Sequence, residues 1–178
     1  LNDYAKGERE NFPTIAEYLV QIRAFPELKA EIRRAIDDTG EIKDSASSKL
    51  RQVRAEFADS KRRIIARLNS VQGDRPRQAG LQDDVVTMRN GRYVITIPSS
   101  AYRNNMGILH DRSQTGATLY VEPQETVELN NRLNLLQQEE RLEIDRILRA
   151  ITAEIAQRSE PLRENTRLIG RLDSLYRS

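Results

Sequence analysis

The sequence predicts a mainly α protein with a small antiparallel β module: a long antiparallel two-helix arm carrying strands, attached to shorter helices. Three observations carry this. Apolar residues recur at helical spacing over 46–72 and again over 123–157, and the pattern switches to strand alternation between them. The composition is charge-rich and poor in aromatics, with 31% charged, 38% hydrophobic and 5% aromatic residues, as wide solvated helix faces require. A length of 178 residues suffices for one compact domain or two small ones. The absence of cysteine excludes disulfides, thiolate zinc sites and a Cys nucleophile, and the single His excludes a multi-histidine metal centre. No apolar run approaches the roughly 20 residues of a membrane span, and no signal peptide opens the chain. A soluble, cytoplasmic protein without membrane contact is the expectation.

Pro13 fits the first turn of a helix with Ile15, Leu19 and Ile22 as its apolar positions. Pro26 opens a second, carrying Leu28, Ile32 and Ile36 and expected to stop near Thr39-Gly40. The run Asp44-Ser45-Ala46-Ser47-Ser48 is rich in N-cap residues and starts the first long helix. There Leu50, Val53, Phe57, Ile64, Leu68 and Val71 form a coiled-coil stripe with one turn skipped at Ser60. Gly73 to Gly80, with Pro76 inside it, reads as a loop.

Asp84–Arg89 and Arg92–Ile97 flank Asn90-Gly91, the strongest short signal for a two-residue hairpin turn. That turn pairs Met88 with Tyr93 and Val86 with Ile95 on a face able to pack. Arg89 with Arg92 and Thr87 with Val94 fall on the other face, expected to be wet. Gly107–His110 and Ala117–Val121 read as a second strand pair, joined by a turn over Asp111–Gly116. Pro123 then begins the second long helix, with Leu129, Leu133, Leu136, Ile144, Ile147, Ile151 and Ile155 apolar and Glu140 in the missing turn. A last helix is expected from Pro161, with Leu162, Leu168, Leu172 and Leu175.

The near-balance of 29 basic against 27 acidic residues conceals a pattern. The first long helix carries Lys49, Arg51, Arg54, Lys61, Arg62, Arg63 and Arg67 against Glu56 and Asp59, whereas the second is net acidic. Lys61, Arg62, Arg63 and Arg67 are therefore expected to pair with Glu139, Glu140 and Glu143 on the returning helix, with a nucleic-acid face as the competing use. Such pairs contribute only tenths of a kcal/mol each, so the Leu/Ile seam must supply most of the stability. Part of that seam is alternatively a dimer face.

Several stretches are more specific. Ile36-Asp37-Asp38-Thr39-Gly40-Glu41-Ile42-Lys43-Asp44-Ser45-Ala46-Ser47 with Leu50-Arg51 resembles the lead-in of the second bacterial MutS family. The resemblance continues through Arg89-Asn90-Gly91-Arg92-Tyr93-Val94-Ile95, His110-Asp111 with Ser113, and Gly116-Ala117-Thr118-Leu119-Tyr120-Val121-Glu122-Pro123. It closes with Val127-Glu128-Leu129-Asn130-Asn131. It implies core helices over 1–45, a first lever helix and loop over 46–80, a β clamp over 81–122, a second lever helix over 123–157, and a returning core helix over 158–178. It further implies a homodimeric parent whose clamp and lever surround DNA, branched or recombination-intermediate structures included. That parent would couple binding to an ATPase using ATP and Mg, often carry an Smr endonuclease domain, and suppress homologous recombination. Some members of the family act instead on collided ribosomes, with ribosomal RNA as the partner. None of the eight Gly residues is followed by Lys, so a Gly-Lys-Ser/Thr phosphate loop is absent, and no Smr segment follows Ser178. The chain is thus expected to be a non-catalytic core–lever–clamp fragment with no cofactor of its own.

Arg89 and Arg92 oppose each other at the hairpin tip, where like charges repel and a phosphate between them would relieve the repulsion. Together with Arg103 and Arg112 they make 85–112 basic, and contact with backbone phosphate needs only Arg, Lys and amide donors. His110-Asp111 reads as structural or turn-capping, because a lone His without a carboxylate cluster is a poor acid–base or metal site. Asn130-Asn131 is expected to cap the helix or bridge it to the strands.

Overall fold

The computed structural model describes residues 13–73 and 86–176. The expected loop over 74–80 and the residues at 84 and 85 lie outside them. The chain is mostly helical with one four-stranded antiparallel sheet, as expected. It divides into two compact units, one formed by 1–46 with 145–178 and the other by 47–144.

In the first unit, α1 (Pro13–Gln21) buries Ala16 and Leu19, while Ile15, expected in the core, is exposed. Helix α2 (Pro26–Ala35) starts on its proline and carries Glu27 in the first turn and Arg33 and Arg34 in the last, each matched to the helix dipole. It ends at Ala35, earlier than the expected Thr39-Gly40, because Ile36 turns extended and bridges Ile42. The reversal is tied by Asp37, whose carboxylate accepts hydrogen bonds from Thr39 N (2.9 Å), Thr39 Oγ1 (2.7 Å) and Glu41 N (2.9 Å). Donation from the Thr39 hydroxyl, and then from the Glu41 amide, holds the Asp37 carboxyl below its ordinary range. Gly40, at φ +90°, supplies the left-handed turn. The last helix, α5 (Ser159–Tyr176), begins two residues before Pro161 and buries Leu168. Its Asn165 clasps the Arg23 peptide, accepting from Arg23 N (2.9 Å) and donating to Arg23 O (2.7 Å).

The second unit pairs α3 (Ser48–Gly73) with the first part of α4 (Val127–Gln157), antiparallel. A 3₁₀ turn precedes each, at Asp44–Ala46 and Gln124–Thr126. Leu50, Val53, Ser60, Ile64 and Leu68 are buried, so the skipped turn of the stripe does sit inside the seam. In α4 Glu140, at the missing turn, is partly buried and pairs with Arg54 Nε of α3 (2.7 Å), and the fully buried Glu143 beside it accepts from Ser47 Oγ (2.7 Å).

The sheet comprises β1 (Val86–Arg89), β2 (Arg92–Pro98), β3 (Ile108–Arg112) and β4 (Thr118–Glu122), in the order β1-β2-β4-β3. Asn90 and Gly91 both take positive φ, +53° and +75°, which is the twist a two-residue hairpin needs. The register pairs Met88 with Tyr93, Val86 with Ile95, Thr87 with Val94 and Arg89 with Arg92, as read from the turn. Ile95 and Ile97 of β2 and Leu119 and Val121 of β4 pack onto Ile64 and Leu68 of α3 and Leu133 of α4 in one apolar core. A two-helix pair alone leaves those side chains open. Here the sheet covers them, and the hydrophobic gain of about 25 cal/mol per Å² removed from water holds it there.

The opposite face is not wet, contrary to expectation. The tip of the β1–β2 hairpin reaches β3 at the far edge of the sheet: Asn90 Nδ2 donates to His110 O (3.4 Å), and Arg89 Nε faces Asp111 Oδ2 (3.8 Å). The sheet is therefore curled, and Val94 and Glu122 are enclosed on its inner side. β3 also runs two residues further than expected, through Asp111 and Arg112.

Candidate nucleic-acid interface

A buried polar cluster is built around Glu122, which is 0% exposed. A buried carboxylate persists only if charge and hydrogen bonds replace its water. Three side chains do this. Arg92 Nε lies 3.0 Å from Oε2, His110 Nε2 lies 2.6 Å from the same oxygen, and Asn130 Nδ2 donates to Oε1 at 2.8 Å. The backbone explains why each is there. β3 pairs Leu109 with Val121 and Asp111 with Tyr120, so His110 is the extra residue of a bulge that re-aims its ring. The β2–β4 register carries Tyr93 to Pro123, which has no N–H to give. Asn130, from the first turn of α4, substitutes for it: Oδ1 accepts from Tyr93 N (2.9 Å) and Nδ2 donates to Tyr93 O (3.0 Å). Asn131 Oδ1 accepts from Arg92 Nη1 (2.7 Å). Asn130 and Asn131 thus bridge sheet to helix, and His110 serves the sheet's interior.

This corrects the expected picture of the hairpin tip. Arg89 and Arg92 oppose each other in register, but Arg92 turns inward and is only 15% exposed, neutralised by Glu122. Arg89 turns outward, lies 3.9 Å over the Tyr120 ring and donates to Met88 O (2.8 Å) and Thr87 Oγ1 (3.3 Å). Their mutual repulsion is relieved by two internal carboxylates, Glu122 and Asp111, rather than by an external anion.

Arg89 and Arg112, two of the four expected arginines, meet at an open hollow of about 420 Å³ lined also by Asp111, Ser113, Gln114, Thr115 and Tyr120. The turn is set by Ser113, whose Oγ accepts from Thr118 N (3.0 Å), and by Gly116 at φ +71°. Arg103 is elsewhere: it curls onto its own loop, donating to Ser100 O (3.3 Å) and Tyr102 O (2.8 Å).

The helical basic residues are corrected too. Lys61, Arg62, Arg63 and Arg67 are all exposed, and none of them pairs with the acidic residues of α4. Arg62 and Arg63 pair with Asp59 on their own helix, at 3.1 and 2.7 Å. The reason is register. Ser47–Glu143, Arg54–Glu140 and Glu56–Arg132 place 61–67 beside the start of α4, roughly 15–30 Å along the helix from Glu139–Glu143. A basic helix face is left open to solvent. Among the described residues no group of three or more His, Asp or Glu side chains is placed to hold a metal ion, and no helix is long and apolar enough to cross a membrane.

Sequence reasoning assigned no role to Glu122 or Tyr120. The signal was present in Thr118, Tyr120 and Glu122, which share one face of a strand whose other face is Leu119 and Val121; what was missing was the curl that encloses that face.

A curled sheet locked by a buried carboxylate onto a long helix pair defines the unit. No family model matches the chain. Curated proteins match nearly all of it. It is 39% identical over 169 residues to Endonuclease MutS2 of Geobacillus sp. (strain WCH70), covering 95% of this chain and 22% of that protein. It is likewise 39% identical over 171 residues to Endonuclease MutS2 of Thermotoga maritima, again 95% and 22%, and 40% identical over 162 residues to that of Halothermothrix orenii, 91% and 20%. The chain is therefore homologous to a segment of the MutS2 proteins, and it spans about a fifth of their length.

Proposed function

We propose that this chain is the clamp-and-lever segment of a MutS2-type protein and binds the phosphate backbone of DNA. The observation that carries the reading is the hollow where Arg89 and Arg112 converge with the hydroxyls of Ser113 and Thr115. Guanidinium groups and hydroxyls on an open surface match the oxygens of backbone phosphate. Lys61, Arg62, Arg63 and Arg67 are further exposed cations in the same unit. In the parent, branched or recombination-intermediate DNA is the substrate class, homologous recombination is what binding restrains, and ATP with magnesium acts outside this segment. A gel-shift titration with linear and four-way-junction duplexes tests this. Salt-sensitive binding that falls at least tenfold on Arg89→Glu with Arg112→Glu supports it. Binding indifferent to salt and to both substitutions sinks it.

A second reading, a dimerisation and docking segment whose parent contacts ribosomal RNA elsewhere, is favoured by Leu135 and Leu142. They lie one heptad apart on α4 and are 51% and 69% exposed. Light scattering separates the two: a dimer abolished by Leu142→Glu supports the second reading, and a monomer that binds DNA opposes it.

A further inference from the structure

Within the hollow, the two oxygens of Asp111 do different things. Oδ1 accepts from Arg112 N at 2.7 Å, which fixes the carboxylate in place. Oδ2 faces Arg89 Nε at 3.8 Å, while the Arg89 guanidinium lies over the Tyr120 ring. Arg89 and Asp111 are 35% and 51% exposed, so an incoming anion reaches both. The Arg112 guanidinium has no ion-pair partner among the described residues. A carboxylate held beside one of two arginines resembles a phosphate already in place.

We propose that Asp111 is an internal competitor for phosphate: it holds Arg89 in the hollow and is displaced when a nucleic-acid phosphate enters, so it sets the affinity of the site. This rests on the interface reading above. A single weak anion gains little by displacing a carboxylate that is already tethered. A polyanion, which presents further phosphates to Arg112 at the same time, gains more. Asp111 thereby biases the hollow toward dense backbone charge. Its removal follows a simple expectation. The pair is exposed, and exposed pairs are worth 0.2–1 kcal/mol, which corresponds to a change in affinity of about 1.4- to 5-fold. Freeing Arg89 also adds up to one neutralised phosphate, steepening the plot of log K against log salt by as much as about 0.9.

Fluorescence anisotropy on the full chain, using a labelled linear duplex from 50 to 300 mM salt, tests this with Asp111→Asn, Arg89→Gln and the double variant. Asn keeps an acceptor for Arg112 N while losing the charge. The expected result is tighter binding by Asp111→Asn, a steeper salt slope, and loss of both effects in the Arg89→Gln background. If Arg89→Gln weakens binding but Asp111→Asn leaves it unchanged or weaker, the competitor role is overturned and the interface stands. If wild type shows no salt-sensitive binding, the interface reading fails and takes this one with it.

Discussion

Two arginine–carboxylate pairs lie on the same curled sheet and differ in almost every physical respect. Arg92 and Glu122 meet at 3.0 Å inside the curl, with Glu122 fully enclosed and its oxygens shared with His110 and Asn130. Arg89 and Asp111 face each other at 3.8 Å on the rim, half in water. Water decides the difference. In the interior an unmatched charge costs several kcal/mol, so every partner is specified and the pair becomes scaffold. On the rim the solvent screens both charges, so the pair contributes little to stability and its arginine is left available to an external anion.

Breaking the inner pair should have the largest effect. Arg92→Ala leaves Glu122 buried without its guanidinium, and a loss of about 3–5 kcal/mol is expected in urea unfolding. A variant within 1 kcal/mol of wild type would show that the cluster is not what locks the sheet. Gly107→Ala comes next. Gly107 sits at φ +136°, and a Cβ there would overlap Glu122 O and come within 2.8 Å of Pro123 Cα. Backbone cannot retreat as a flexible side chain would, so a loss of about 2–4 kcal/mol is expected by the same measurement. At the rim, Arg89→Gln should change stability by less than about 1 kcal/mol while weakening DNA binding. A stability loss as large as that of Arg92→Ala would erase the contrast between the pairs. Smallest is the pH effect of Asp37 in the other unit. Its carboxyl is held below the ordinary value of 3.8, first by the Thr39 hydroxyl. In that window the unfolded chain binds more protons than the folded one, so stability rises with pH. The contribution is present above the ordinary carboxylate value and is lost as pH falls through the lowered one. Asp37→Asn should therefore flatten the low-pH end of a melting-temperature profile, and an unchanged profile would show that the turn does not depend on that charge.

The legible parts of this molecule are those set by near neighbours in the chain. Asn90-Gly91 dictated the hairpin and its register, because few dipeptides accept two consecutive positive φ angles. The stripe from Leu50 to Leu68 dictated the helix seam and even the position of Ser60 within it, because helical geometry is fixed by 3.6 residues per turn. Candidate cations were legible as residues but not as a site. Arg89, Arg92, Arg103 and Arg112 are equivalent in sequence, and the structure sends them to a rim, an interior, a loop and the rim again. Lys61 to Arg67 were assigned acidic partners that the helix register places out of reach.

By itself, then, the sequence determined the order of helices and strands, the turn chemistry and the apolar seam, all of which follow from backbone geometry acting over a few residues. Only the tertiary structure decided which charges are buried and which are offered to a ligand. The reason lies in the long-range contacts of Asn90 with His110, Tyr93 with Asn130 and Arg92 with Glu122, which close the curl. Burial, and with it the strength of every electrostatic interaction there, depends on what that closure excludes.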